Sequence, residues 1–175
     1  MSSILLAYST TDGHTAHICE RLRQVIEEQG HSCKVVLLTQ ADSLDLAAFD
    51  SIVIGASIRY GKHQPAVAQF IGRHQALLER KANAFFSVNI VARKPEKNRP
   101  DTNPYLIKYL KTIAWKPRHL DVFAGRIDFP SLGWGDRTMI RFIMWVTKGP
   151  TDPTAVVEFT DWARVEEFGR VVAQM

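Results

Sequence analysis

Cysteine is scarce in this chain of 175 residues: there are two, Cys19 and Cys33, and they form no CxxC pair, no metal-ligand spacing and no disulfide framework. A disulfide-stapled secreted scaffold is therefore excluded, no metal site is expected, and a reducing compartment is the expected home. Long apolar runs are missing too. No stretch reaches the roughly 18 residues a spanning helix needs. Met1-Ser2-Ser3 runs directly into Ile4-Leu5-Leu6-Ala7-Tyr8 without a basic n-region, so no signal peptide is expected and the protein is read as cytoplasmic. Two phosphate-binding signatures are also absent, G-x-G-x-x-G after the first strand and G-x-x-x-x-G-K-S/T anywhere, which sets aside a Rossmann dinucleotide site and a P-loop.

The composition that remains, 46% hydrophobic and 23% charged, is that of one globular domain spanning residues 1–175, large enough to bury a core without a staple. Lys plus Arg outnumber Asp plus Glu by 22 to 18, a net charge of +4, which points to an anionic partner. Nucleic acid is the poorest candidate, because the basic residues are scattered over several elements and form no recognised module.

Short apolar runs alternate with amphipathic stretches, the signature of βαβ units and a parallel sheet covered on both faces. Strands are expected at Ile4–Tyr8, Lys34–Leu38, Ser51–Ser57, Ala84–Val91 and Leu120–Ile127. A helical stripe through Ile18, Cys19, Leu22, Val25 and Ile26 stops at Gly30, a good C-terminal breaker. A second helix opens at Pro65, a third lies behind Asn103-Pro104, and the last begins near Asp161. His74 lies on the stripe of the second helix and reads as a residue packed at the core edge. Residues 129–150 break the rhythm as an insertion after strand five. Within it, Arg137, Arg141 and Lys148 fall near one helical face and Met139, Ile140, Phe142, Ile143 and Val146 cover the rest, behind N-cap chemistry at Gly133-Trp134-Gly135-Asp136.

The strongest chemical signal is the first strand-to-helix turn, Ser9-Thr10-Thr11-Asp12-Gly13-His14-Thr15. Backbone N–H groups at a helix N-terminus, with several hydroxyls beside them, suit a single phosphomonoester. Asp12 should give its backbone N–H and turn its carboxylate away. At this turn the sequence resembles the flavodoxin family, whose FMN phosphate loop reads aromatic, any residue, Ser/Thr, two residues, Gly, any residue, Thr; Tyr8, Thr10, Gly13 and Thr15 match, while Ala7 and Cys19 depart from the common pattern. The resemblance implies FMN as cofactor and a doubly wound five-stranded sheet of order 2-1-3-4-5, with the ligand at the switch point. The loop Ser57-Ile58-Arg59-Tyr60-Gly61 is similar to the second flavin loop of flavodoxin-like quinone reductases, which implies that Tyr60 stacks on the flavin ring and that Gly61 permits close approach.

A third segment, Asn89-Ile90-Val91-Ala92-Arg93-Lys94 through Lys97, taken with the second loop and Phe159-Thr160-Asp161-Trp162, resembles the bacterial menaquinone-dependent protoporphyrinogen IX dehydrogenases over nearly the whole chain. That resemblance implies oxidation of protoporphyrinogen IX in haem biosynthesis with a membrane quinone, menaquinone, as acceptor, and a flavin site built on the three loops. Arg93, Lys94 and Lys97, with Arg99 beyond them, are then placed to hold substrate propionates by charge-assisted hydrogen bonds. Trp134, Phe142 and Trp145 are placed to cap the tetrapyrrole, with Arg137 and Arg141 beside them. The same insertion alternatively lies on an anionic membrane surface at the inner face of the cell membrane, or packs into a homo-oligomer. No convincing catalytic base is visible; His63 and Asp136 are weak candidates. A flavodoxin-type electron carrier and an NAD(P)H:quinone reductase stay open as alternatives.

Overall fold

The computed structural model describes residues 1–175. Strand β1 (Ser3–Ser9) leads into helix α1 (His14–Glu28), whose chain is turned out of the helix by Gly30 at φ 85°. That left-handed conformation costs glycine nothing, and it lets the N–H of His31 reach back to the carbonyl of Ile26. Then follow β2 (Ser32–Leu37), a short helix α2 (Leu38–Ala41), β3 (Ser51–Arg59), the two-residue β4 (Lys62–His63) and α3 (Pro65–Arg80), with Pro65 at its first position. The chain continues through β5 (Ala82–Val88), α4 (Pro104–Leu110), β6 (His119–Phe123), β7 (Arg126–Asp128), α5 (Trp134–Val146), β8 (Val156–Glu158) and α6 (Trp162–Ala173).

The main sheet runs β2-β1-β3-β5-β6, all parallel, with β4 paired antiparallel to the end of β3. Setting β4 aside, this is the expected order 2-1-3-4-5. Both faces are buried because successive side chains alternate. Leu5 and Ala7 of β1 join the core under α3 with Ile52, Ile54 and Phe70, whereas Ile4 and Leu6 join the core under α1 and α6 with Ile18, Leu22 and Phe168.

Three expected boundaries are corrected. The fourth strand stops at Val88 rather than Val91, because the buried Asn89 accepts a hydrogen bond from the Ala92 N–H at 3.1 Å and turns Ile90–Arg93 into a 3-10 turn. The run expected as one strand over 120–127 is two strands. After Phe123 the chain leaves the sheet, and β7 pairs antiparallel with β8 in a separate ribbon that joins the two ends of the insertion. Helix α5 opens at Trp134 behind Gly133, so Asp136 lies in its first turn and does not cap it. His74 meets expectation: it packs on Phe70 at the core edge and pairs with Asp42 at 2.9 Å.

Candidate functional site

The parallel strands bring three loops to one end of the sheet, and the insertion closes over them, leaving a cavity of about 680 Å3. That size suits a cofactor or drug-sized ligand. The first loop contributes Thr10, Asp12, His14 and Thr15. Helix α1 starts behind Gly13 at φ 82° without a side-chain cap and with no acid in its first turn, so its N-terminal N–H groups and dipole are available to an anion. The hydroxyls of Ser9 and Thr15 are buried without a partner. Unsatisfied buried hydroxyls are costly, and for Thr15, which lines the cavity, a phosphate bound at the α1 N-terminus is the kind of acceptor that would relieve the cost. Ser9, Thr11 and Gly13 stand in the loop without lining the cavity.

His14 is buried, and its Nε2 donates to Thr160 Oγ1 at 2.6 Å while that hydroxyl donates to the Ala124 carbonyl at 2.7 Å. Nδ1 is left bare and without a partner. Burial lowers its pKa, with Glu158 opposing and the neighbouring His17 and Arg126 adding to the drop.

Tyr60 and Gly61 form a two-residue hairpin turn between β3 and β4, with φ of 51° and 76°, the geometry a tight right-twisted hairpin requires. A side chain at position 61 would also approach the Tyr105 ring to 3.2 Å. All of Ser57, Ile58, Arg59, Tyr60 and Gly61 line the cavity. Arg59 donates to Asp136 at 3.0 Å and to Asp12, and the Tyr60 hydroxyl donates to Asp136 as well. The Asp12 carboxylate is thus turned toward the Arg59 guanidinium, with Asp12 still on the cavity lining. Donation to Asp136 also pushes the Tyr60 phenol pKa up.

From the third loop Asn89, Ile90, Val91 and Arg93 reach the cavity, and Ala92 is buried behind them. Arg93 ties the loop to the end of α5 through the carbonyl and hydroxyl of Thr147, and burial lowers its pKa. The remaining wall was not legible as a site: Leu132, Ile140, Ile143 and Met144 give it an apolar side, and Arg126 and Asp128 of β7 a polar one.

The structure does not bring every expected residue here. Lys94, Lys97, Trp134, Arg137, Arg141 and Trp145 do not line the cavity. Trp134 and Trp145 are 84% and 70% exposed on the outer face of α5. Arg137 is spent on the carbonyls of Phe129, Pro130 and Leu132, and Arg141 on that of Thr151. His63 is buried between Phe85 and Tyr109, shares a 3.0 Å hydrogen bond with Ser87, and has its pKa lowered to about 4 by burial. That places it in the core and outside the cavity lining. Asp136, the other weak base, is held by Arg59 and Tyr60. No group of three or more His, Cys, Asp or Glu side chains is placed to hold a metal.

Comparison with known proteins agrees with this geometry. Residues 5–154 match the family model described as "Flavodoxin domain". The protoporphyrinogen IX dehydrogenase [quinone] of Leishmania major is 42% identical over 165 residues, covering 94% of this chain and 71% of that protein. The protein of the same name from Escherichia coli K12 is 39% identical over 171 residues, 98% of this chain and 94% of its own. Among solved structures, a short-chain flavodoxin associated with a bacterial microcompartment superposes with a TM-score of 0.58 at 12% identity, over 99% of this chain and 98% of that one. An archaeal flavodoxin superposes at 0.57 with 14% identity, over 98% and 96%. The solved structures speak for the fold alone.

Proposed function

This chain belongs to the flavodoxin-domain family and, within it, to the quinone-dependent protoporphyrinogen IX dehydrogenases, and on that premise we propose that it oxidises protoporphyrinogen IX to protoporphyrin IX in haem biosynthesis. FMN is its cofactor and a membrane quinone, menaquinone, its electron acceptor. The observation that carries the reading is the lining of the cavity, which combines the orphaned hydroxyl of Thr15 with an apolar wall of Ile140, Ile143 and Met144. The first suits a phosphate and the second a flat apolar ring system.

Bound flavin would supply the two-electron acceptor that the protein itself lacks. Thr10 and Thr15, with the N–H groups of the α1 N-terminus, hold the phosphate. Arg59 keeps the Asp12 carboxylate neutralised, so that the loop accepts a dianion. Ile140, Ile143 and Met144 would give a bound ring system an apolar wall. Arg93, which pairs with no carboxylate of the protein, offers its charge to a substrate propionate.

No helix is long and apolar enough to cross a membrane, yet the quinone resides in one. The outer face of α5 answers that need. Trp134, Phe142, Trp145 and Val146 are all more than half exposed, and Arg141 and Lys148 flank them without a carboxylate partner. Aromatic and basic residues on one face suit the headgroup region of an anionic bilayer, where each cation contributes roughly 1 kcal/mol. We place the protein on the cytoplasmic face of the membrane through this surface.

The deciding experiment is anaerobic mixing of the FMN-loaded protein with protoporphyrinogen IX or with NAD(P)H while flavin absorbance is followed. Bleaching by the porphyrinogen, reversed by menaquinone, is expected. Bleaching by NAD(P)H alone, or by neither, would overturn the proposal in favour of a quinone reductase or an electron carrier.

A further inference from the structure

Three guanidinium groups line the cavity, and their donors are spent very differently. Arg59 gives both terminal nitrogens to carboxylates, those of Asp12 and Asp136. Arg93 gives Nη1 to the Ile90 carbonyl at 3.2 Å and Nη2 to the carbonyl and hydroxyl of Thr147 at 3.1 and 2.9 Å, all of them neutral acceptors. Arg126 makes one contact, from Nη2 to Asp128 Oδ2 at 2.9 Å. Its Nη1 donates to nothing in the protein, and its Nε is buried without an acceptor. Glu158, its partner across the ribbon, makes no hydrogen bond or salt bridge to it; Glu158 Oε1 accepts from Trp162 Nε1 at 2.5 Å.

A guanidinium with most of its N–H groups unspent, one-third exposed on a cavity wall, is an oxyanion receptor awaiting its ligand. With one N–H of Nη2 on Asp128, its end still offers Nη1 and the second N–H of Nη2, the spacing that a bidentate carboxylate takes. The charge balance selects the ligand further. Asp128 pairs with Arg126 and Glu158 lies across the ribbon from it, so a singly charged carboxylate meets less repulsion here than a dianionic phosphate would. The phosphate already has its place among the hydroxyls of the first loop.

We propose that Arg126 is a substrate-positioning residue that binds a carboxylate inside the cavity; resting on the functional reading above, that carboxylate is a propionate of the porphyrinogen. Arg93 and Arg126 then give the cavity two separate carboxylate receptors. Phe159 touches the segments that carry both, its N–H on the Gly125 carbonyl beside Arg126 at 3.0 Å and its ring 5.9 Å from the Arg93 guanidinium. Two such receptors in a cavity with an apolar wall suit an apolar dicarboxylate.

The test compares binding of protoporphyrin IX and of its dimethyl ester to the FMN-loaded protein by fluorescence titration, for the wild type, Arg126→Gln and Arg126→Lys. The wild type is expected to prefer the diacid. Arg126→Gln should weaken the diacid on the order of ten- to a hundredfold, as loss of a charge-assisted hydrogen bond does, and leave the diester unchanged; Arg126→Lys should recover part of the loss. Equal affinity of the wild type for acid and ester would overturn the proposal without recourse to any variant, and so would an equal loss for both ligands in Arg126→Gln. Titration of the apoprotein with FMN and riboflavin closes the other route: a loss of FMN affinity alone in Arg126→Gln would assign Arg126 to the cofactor phosphate and overturn the carboxylate assignment. Turnover of protoporphyrinogen IX by the wild type stands apart. Turnover without acid–ester discrimination fells this inference alone, and discrimination without turnover fells the functional reading while keeping Arg126 as a carboxylate receptor.

Discussion

Arg59 Nη1 lies 3.0 Å from Asp136 Oδ2, a bond between residues 77 positions apart that fastens the first turn of α5 to the second loop. Asp136→Asn should free that end of the insertion. Both partners reach solvent, so global stability is expected to fall by about 1 kcal/mol or less. Amide hydrogen exchange over residues 134–146 should quicken while the sheet is unaffected, and unchanged exchange there would show that the ion pair does not hold the helix.

The phosphate loop predicts a selective defect. The double variant Thr10→Ala with Thr15→Ala should weaken FMN on the order of a hundredfold or more, since hydrogen bonds to a charged group are each worth about 1.5–3 kcal/mol. Riboflavin, which has no phosphate, should bind as before. Fluorescence titration of both ligands measures the difference, and parallel losses would point to a distorted loop.

His63 makes stability depend on pH. Burial holds its folded-state pKa at about 4, below the ordinary value of 6.5, so between these values the unfolded chain binds the proton that the folded one refuses. Its contribution is intact above pH 6.5 and drains away as pH falls toward 4, by up to about 3 kcal/mol. Urea unfolding of wild type and His63→Gln at pH 7 and pH 4.5 should show a smaller acid loss in the variant. An identical loss would mean that other groups carry the acid sensitivity.

The outer face of α5 predicts membrane binding. Wild type should co-sediment with vesicles containing anionic lipid, more weakly at high salt, and the triple variant Trp134→Ser, Phe142→Ser, Trp145→Ser should stay in the supernatant with its FMN still bound. If the variant sediments like the wild type, another surface meets the bilayer.

In the middle of the sheet, Gly55 lies against the Phe86 ring. A Cβ there would come within 2.2 Å of Phe86 Cζ, and that ring is itself packed on Phe123 and Phe168. Gly55→Ala should therefore destabilise by about 1–3 kcal/mol. A melting temperature equal to wild type would show that the ring has room to move.

What the sequence discloses and what it hides follow from the range of the forces involved. The buried parallel strands are plain in it, because Ile4–Tyr8 and Ser51–Ser57 must be apolar on both faces. The first loop is equally plain, since its hydroxyls and Gly13 are consecutive. The exit from the sheet after Phe123 is not, because apolar residues continue on both sides of it, from Leu120 to Phe123 and again at Ile127, and the break goes with a distant partner, the Phe159 N–H that binds the Gly125 carbonyl. The helix of the insertion is legible but its orientation is not. It carries apolar residues on opposite sides, and periodicity cannot say that Ile140 and Met144 face the cavity while Phe142 and Trp145 face out. Arg126 reads as an ordinary strand residue, and only the folded chain shows that most of its N–H groups are left without acceptors.

The ribbon of β7 and β8 carries one more consequence. Paired strands hold their backbones about 5 Å apart, so Asp128 and Val156 stand close enough for a tight turn to join them. Everything between them, with the small core around Phe129, Leu132 and Met144, meets the sheet domain at this ribbon and at two further ties, Arg59 to Asp136 and Arg93 to Thr147. A shortened or exchanged cassette can therefore be joined at the ribbon without touching the sheet strands, and giving the cavity a different ceiling requires only that the new segment remake those two ties.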